Sequence, residues 1–358
     1  MNPYFTPRLK KIEDLIRQNL PIYVQSGEWV SRSFGNFNKI AYTKYIDSLI
    51  EPCKNLVDLG GKRWRPLLAV LCAQAAAEHK KNKDMLIERA YTLTPMIEFI
   101  HSASLIHDDI EDAADMRRGK PAAHIRWGTD SALNSASWLY FQAFACLDNK
   151  GFTDALRLRL YDAVLQELRR LHLGQAMDIM WHKDNSTLPQ ESEYLTMTAL
   201  KTGTLASLAA RCGILAASGG ARKAEKTALL AAQIGVGFQI RDDITNLTSG
   251  NPGKKRGDDI VEGKKSLPLL YHIKERPQDF KILAQCFERA QKEGVDSPAV
   301  EQALDILNGS SAIQKAYEKS TQLIENSCKK LEKLYPASPS AKHIRDLFPP
   351  CNDPQNTL

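Results

Sequence analysis

The stretch "HSASLIHDDIEDAADMRRGK", residues 101–120, sets Asp108, Asp109, Glu111, Asp112 and Asp115 directly before Arg117, Arg118 and Lys120. On an ideal helix at about 100° per residue, His101, Asp108 and Asp112 share one narrow sector, with Asp109 about a quarter-turn away. Asp108 and Asp112 then repel at i,i+4, which costs roughly 0.2–0.5 kcal/mol. The preceding "MIEFIHSASLI" is largely apolar, so this helix is expected to be buried and to bring its carboxylates to the mouth of a cavity. Like charges in such a place need a counter-ion, and clustered carboxylate oxygens suit a hard cation such as Mg²⁺. Taken alone, the segment also fits a solvated charged face.

A second acidic pair lies in "FQIRDDITN", where Asp242 and Asn246 are again four apart at the end of an apolar run, with Asp243 beside them. Two helices are thus placed to aim oxygen ligands into one cavity, Asn246 serving as a weak neutral ligand or as a support for Asp242. Cations recur nearby. "GGKRWRP" joins a Gly-Gly turn, which allows close backbone approach, to a helix start that favours anions, and offers Lys62, Arg63 and Arg65 to phosphate oxygens. "KTG" supplies Lys201 and Thr202, with Gly203 inside a helical pattern at a cost of about 1 kcal/mol relative to alanine. "GKKRGDDIVEGKK" adds Lys254, Lys255, Lys264 and Lys265. Each of these has an ordinary structural reading. Together they describe a cavity for two highly anionic groups, one held through metal and one held directly by cations.

In chain order, "GGKRWRP", "HDDIEDAADMRRGKPAAH", "GQAMD", "KTG", "GFQIRDDITN" and "EGKKSLPLL" resemble the trans-isoprenyl diphosphate synthases, or polyprenyl synthetases, from about residue 55 to about 275. The resemblance implies an all-helical homodimer and a Mg²⁺-dependent head-to-tail 1'-4 condensation of isopentenyl diphosphate with an allylic diphosphate. It implies Asp108, Asp112 and Asp242 as metal ligands, with Asp109 in support. It places Arg117, Lys201, Gln239, Lys264 and Lys254 on the allylic diphosphate, and Lys62, Arg65, His101 and Arg118 on isopentenyl diphosphate. The carbonyl of Lys201 and the side-chain oxygens of Thr202 and Gln239 are then expected to stabilise the allylic cation. Two features depart from the pattern: Asn246 closes the second motif in place of an aspartate, and "PPCNDPQNTL" is not basic. A terpene cyclase and a non-catalytic subunit of a heteromeric synthase remain as alternatives. The cyclase needs only one diphosphate site, and the inactive subunit would be free to lose the acidic residues retained here.

The elements that must position these groups read as helices throughout, because apolar residues recur at helical spacing and alternating strands are missing. The expected fold is all-α, a single domain over residues 1–358 built as one large helical bundle around a deep central cavity. Pro66 fits the start of a helix, "MLIERAYTLTPMIEFIHSASLIHDD" reads as one helix kinked at Pro95, and "EYLTMTALKTGTLASLAARCGILAA" reads as one more. Ser104, Ile100 and Ile97 form a stripe descending roughly 6, 12 and 16 Å below Asp108. Ala103 and Ser104 are small, which predicts a product of C20 or longer, and Trp138 is the expected floor. "GQAMDIMW" resembles the geranylgeranyl-type members, whereas "IEFIHSASLIHDD" also resembles longer-chain ones.

The 358 residues are 43% hydrophobic and 25% charged, ample for a large core, and the net charge of +6 is spread along the chain without an aromatic-interleaved basic run. Basic residues beside carboxylates argue against a nucleic-acid partner. The seven cysteines are odd in number and widely spaced, with no C-x-x-C pair. No leader or membrane span is read, so the expected location is cytoplasmic.

Overall fold

The computed structural model describes residues 2–21, 27–35, 42–250 and 255–349. Lys254 lies outside the described residues. The first half runs through α1 (Thr6–Asn19), α2 (Gly27–Phe34), α3 (Tyr42–Asp58), α4 (Trp64–Ala77), α5 (Lys83–Thr92), α6 (Thr94–Glu111), α7 (Ala123–Trp127) and α8 (Thr129–Gln142). The second half follows with α9 (Asp154–His182), α10 (Glu191–Thr198), α11 (Thr204–Ala216), α12 (Ala221–Thr248), α13 (Asp258–Val261) and α14 (Leu267–Glu275). The last helices are α15 (Phe280–Glu293), α16 (Pro298–Asn308), α17 (Ala312–Leu334) and α18 (Pro339–His343). The fold is all-α. Among the described residues the only strands are β1 (Met116–Arg117) and β2 (Lys120–Pro121), an antiparallel hairpin.

The helix apolar on every side occupies the centre. In α11 nearly every residue from Thr204 to Ala216 is buried, and α4, α9 and α12 surround it; such a helix has no face to offer water. A satellite cluster packs Leu283, Phe287, Val300 and Leu304 of α15 and α16 against Leu247 and Ile260. No helix among the described residues is long and apolar enough to cross a membrane. The six described cysteines are free and buried.

Two expected helices are interrupted, for different reasons. Pro95 does not kink a long helix; it lies in the first turn of α6, after a break at Leu93. There its missing N–H leaves no intrahelical bond unmade. Pro66 likewise sits in the first turn of α4. Between α10 and α11, residues Ala199–Gly203 form a wide π-turn. Such a turn adds a residue and opens the i→i−4 ladder, a distortion found mostly at functional sites. Gly174 of α9 explains how it is reached so closely: a Cβ there would lie 2.5 Å from the backbone nitrogen of Lys201.

Candidate functional site

Helices α4, α6 and α8 to α13 and the hairpin converge on one cavity of about 730 Å³. Helix α6 ends in its mouth. Asp109 is buried beneath Asp108 and accepts from Arg117 Nε at 2.7 Å; Arg117 Nη2 donates to Asp108 at 3.3 Å. The hairpin makes this possible. Its two central residues, Arg118 and Gly119, both have positive φ (52° and 73°), as a two-residue primed turn demands. "RRGK" therefore sends its two arginines to different places. Arg117 returns to α6, while Arg118 donates to the carbonyl oxygens of Leu56 and Gly60.

The π-turn carries Lys201, whose Nζ donates to Asp108 at 2.9 Å and to Asp178 of α9 at 2.6 Å. Gln175, one helical turn before Asp178, donates to Asp108 at 3.1 Å and to Glu111 at 2.7 Å. His182, one turn further, lies 2.8 Å from Asp178 and 3.4 Å from Asp112. Burial disfavours a charge at Asp108, but Lys201, Arg117 and Lys264 outweigh it and hold this carboxyl well below its usual range. Burial opposes the charge of His182 too, and its contacts to Asp112 and Asp178 push it up to about 9. Gln175 and Asp178 lie in "GQAMD", one of the motifs that carry the resemblance, but neither they nor His182 were given a role from sequence, although their i, i+3, i+7 spacing puts them on one face of α9.

Helix α12 supplies the opposite wall. Asp242 is exposed in the cavity, and Gln239 accepts from Thr202 Oγ1 at 2.8 Å. Asp243 is buried, and burial together with the charge of Asp259 raises it to about 7. Asn246 does not face the cavity. Its Oδ1 accepts from the backbone N–H of Asp259 at 3.2 Å, tethering the start of α13. That tether holds the loop bearing Lys264, which pairs with Asp259 and Glu262 and lines the cavity. Lys265 is buried, donates to Asn185 and the Gly263 carbonyl, each at 2.7 Å, and is lowered to about 8 by burial.

At the far end sit Lys62, Arg65 and His101. Arg65 Nη1 and His101 Nε2 are 3.1 Å apart. Arg65 Nε and His101 Nδ1 are both buried with no hydrogen-bond partner among the described residues. Burial and the charges of Arg65 and Arg118 hold His101 far below its ordinary value, and therefore neutral. A buried N–H without a partner costs about 1–3 kcal/mol, so a cluster of them marks a place for an acceptor such as an anion. Trp64, Phe238 and Phe348 back this end, with ring centroids 5.2–5.9 Å apart. Arg241 of α12 pins the segment bearing Phe348 by donating to the carbonyls of Phe348 and Pro349, each at 2.8 Å.

Several expectations change. Arg63 is not available to phosphate: with φ of 47° it turns inward to Glu13 at 2.6 Å, Glu98 at 2.5 Å and the Val57 carbonyl at 2.6 Å. Among the expected metal ligands, Asp108 and Asp242 line the cavity, while Asp112 faces His182 and is almost wholly buried. Among the described residues, no three acidic, histidine or cysteine side chains already converge on one metal position. Ile97 and Ile100 are fully buried and do not line the cavity, so the stripe ends at Ser104. Trp138 is not the floor; it stacks on Phe34 at 5.9 Å and meets Trp29 at 6.5 Å. The apolar end is lined instead by Leu105, Tyr140, Leu171 and Leu205, with the Tyr140 ring 5.5 Å from His107 and 5.7 Å from His172.

Residues 46–307 match the family model for polyprenyl synthetase. The chain is 34% identical over 266 residues to geranylgeranyl pyrophosphate synthase paxG of Penicillium paxilli, covering 73% of this chain and 68% of that protein. It is 40% identical over 186 residues to geranylgeranyl pyrophosphate synthase 2 of Zymoseptoria tritici, covering 51% of this chain and 54% of that protein. The match to the second thus spans about half of its length. The geranylgeranyl diphosphate synthase of Methanosarcina mazei is 33% identical over 63% of this chain and 67% of its own. In three dimensions the chain superposes on the geranylgeranyl pyrophosphate synthetase of Pyrococcus horikoshii with a TM-score of 0.76 at 24% identity, over 96% and 95% of the two chains. A polyprenyl synthase from Caulobacter crescentus, solved with calcium and isoprenyl diphosphate, gives 0.75 at 23% identity, over 96% and 94%. These superpositions show the shared fold. The chain belongs to the polyprenyl synthetase family, a family of prenyltransferases.

Proposed function

We propose that this protein condenses isopentenyl diphosphate head to tail with an allylic diphosphate in a Mg²⁺-dependent reaction and releases a C20 product. The observation that carries this reading is one cavity with two cationic poles. Arg117, Lys201 and Lys264 surround Asp108, and Lys62, Arg65 and neutral His101 form a separate pole. A cyclase has no use for the second.

Hard carboxylate oxygens from Asp108 and Asp242 suit Mg²⁺, with Asp112 behind them through His182. When bound there, Mg²⁺ would neutralise charge on the departing diphosphate. Lys201, Arg117 and Lys264 do the same from the protein side, and their effect is largest as the allylic C–O bond breaks. The bond pair leaves on the diphosphate oxygen. The resulting cation lies beside the Lys201 carbonyl, Thr202 and Gln239. Arg65, Lys62, Arg118 and His101 hold isopentenyl diphosphate so that its double bond supplies the pair for the new C–C bond. The released diphosphate takes the proton that isopentenyl then loses.

Tyr140, flanked by His107 and His172, supports a C20 limit by closing the apolar end. The outer faces of α8 and α9 support a homodimer: Leu158, Leu165, Leu173 and Met180 form an exposed stripe at spacings of 7, 8 and 7, joined by Leu133 and Phe141. The six described cysteines, buried and unpaired, are consistent with a cytoplasmic location. The purified protein, given farnesyl and isopentenyl diphosphates with Mg²⁺, should yield geranylgeranyl diphosphate as its main product. A cyclic hydrocarbon from the allylic substrate alone, or turnover only on adding a second polypeptide, would overturn the reading.

A further inference from the structure

Asp243 has no part in the reaction as written above, yet it is buried in the wall of the cavity with both oxygens engaged. Tyr194 OH donates to Oδ2 at 2.7 Å, and Gln239 Nε2 donates to Oδ1 at 2.9 Å. The other end of the same amide, Gln239 Oε1, accepts from Thr202 Oγ1 at 2.8 Å. The four side chains form a continuous chain of hydrogen bonds from α10 through α12 to the π-turn, and all four line the cavity beside Lys201.

A glutamine can present either end to a cavity. Its NH₂ carries positive partial charge and its oxygen negative, so the two orientations have opposite effects on a nearby cation. In its ionised form, with one oxygen accepting from Tyr194 and the other turned to Gln239, Asp243 admits only the NH₂ end of that amide. We propose that the Tyr194–Asp243 pair is a positioning device that fixes Gln239 with its carbonyl oxygen, not its NH₂, toward the allylic cation. Tyr194 holds the carboxylate in plane, Asp243 selects the amide orientation, and the oriented Oε1 then takes the Thr202 proton. The hydroxyl's lone pairs are left facing the cavity. The inference deepens the condensation reading and rests on it.

The experiment compares Tyr194→Phe and Asp243→Asn in the wild-type and Gln239→Met backgrounds, with farnesyl and isopentenyl diphosphates. Tyr194→Phe removes one hydroxyl without changing the packing. It should lower kcat about tenfold, in keeping with losing a hydrogen bond to a charged group. Asp243→Asn lets the amide sit either way and should lower kcat about 10²-fold, comparable with losing a preorganised electrostatic contact. Both KM values and the Mg²⁺ concentration at half-maximal rate should stay within about twofold, because the cationic side chains that hold the two diphosphates and the carboxylates Asp108 and Asp242 are untouched. In the Gln239→Met background, where no amide remains to orient, adding Tyr194→Phe should change kcat by less than about twofold. A wild-type protein that condenses nothing overturns the function itself. An active wild type whose kcat is unmoved by Tyr194→Phe, whose losses fall in KM or Mg²⁺ dependence, or whose Gln239→Met form still loses tenfold on adding Tyr194→Phe overturns the positioning role alone.

Discussion

Replacing Gly174 with alanine tests how finely the π-turn is placed. The added Cβ would meet Lys201 N at 2.5 Å, Leu200 C at 2.7 Å and Leu200 Cβ at 2.9 Å. Non-bonded heavy atoms settle near 3.5 Å, so α9 and the turn must separate by about 1 Å. The atoms met are backbone and the root of a side chain, so no flexible tip can swing away. If α9 yields, it carries Gln175 and Asp178 with it; if the turn yields, it carries Lys201. Either way the 2.6 Å contact of Lys201 to Asp178 lengthens toward the limit of hydrogen bonding, and with it the 2.9 Å contact of Lys201 to Asp108 if the turn moves, or the 3.1 Å contact of Gln175 to Asp108 if α9 does. A misplacement of about 1 Å costs on the order of 10²-fold in rate. Overpacking should also destabilise the fold by about 1–3 kcal/mol. The assays are steady-state condensation kinetics and a thermal melt. Turnover should fall about 10²-fold while KM for isopentenyl diphosphate holds, since Arg65 and His101 lie at the other pole. Wild-type turnover, or a loss confined to that KM, would refute the reasoning.

Arg65→Ala should raise KM for isopentenyl diphosphate at least tenfold more than KM for the allylic substrate, roughly one charge-assisted contact; equal effects in paired titrations would reject two separate poles. Tyr140→Ala should extend the product beyond C20 and Trp138→Ala should leave it unchanged, read by chromatography of the dephosphorylated products; the reverse result would move the floor to Trp138. Asn246→Asp places another carboxylate near Asp259 and Asp243 and should cost about 1–3 kcal/mol, seen as a lowered Tm with turnover within a few-fold of wild type. A marked change in Mg²⁺ dependence would instead make residue 246 a metal ligand.

What sequence made legible here was charge at helical spacing. Asp108 and Lys201 line one cavity because a carboxylate at the end of an apolar helix has few places to go. The failures have a common cause: rotation about an axis is set by packing with distant segments. Lys62, Arg63 and Arg65 look alike in "GGKRWRP", but Glu13 of α1 and Glu98 of α6 claim the middle one. Trp138 and Tyr140 are two apart on α8, about 200° around the helix, so one of them had to miss the cavity; Phe34 and Trp29 decide which. The π-turn was hidden because "ALKTG" has no unusual helix propensity apart from its glycine. Its geometry comes with the close approach of Gly174, nearly thirty residues earlier. Asn246 read as a weakened ligand because the α13 backbone that claims its oxygen has no side-chain signature.

The aromatic backing of the pole formed by Lys62, Arg65 and His101 has a consequence for ionic strength. An arm of charged residues folded over a diphosphate loosens as salt rises, because screening acts over about 10 Å at 0.1 M. Trp64, Phe238 and Phe348 hold together through ring contact, and the segment bearing Phe348 is fastened by a buried arginine to backbone carbonyls rather than to an exposed acid. Kosmotropic salts strengthen apolar contacts of this kind. This end of the cavity therefore keeps its shape in concentrated sulfate, and salt acts there on the diphosphate and its cations while the wall behind them stands.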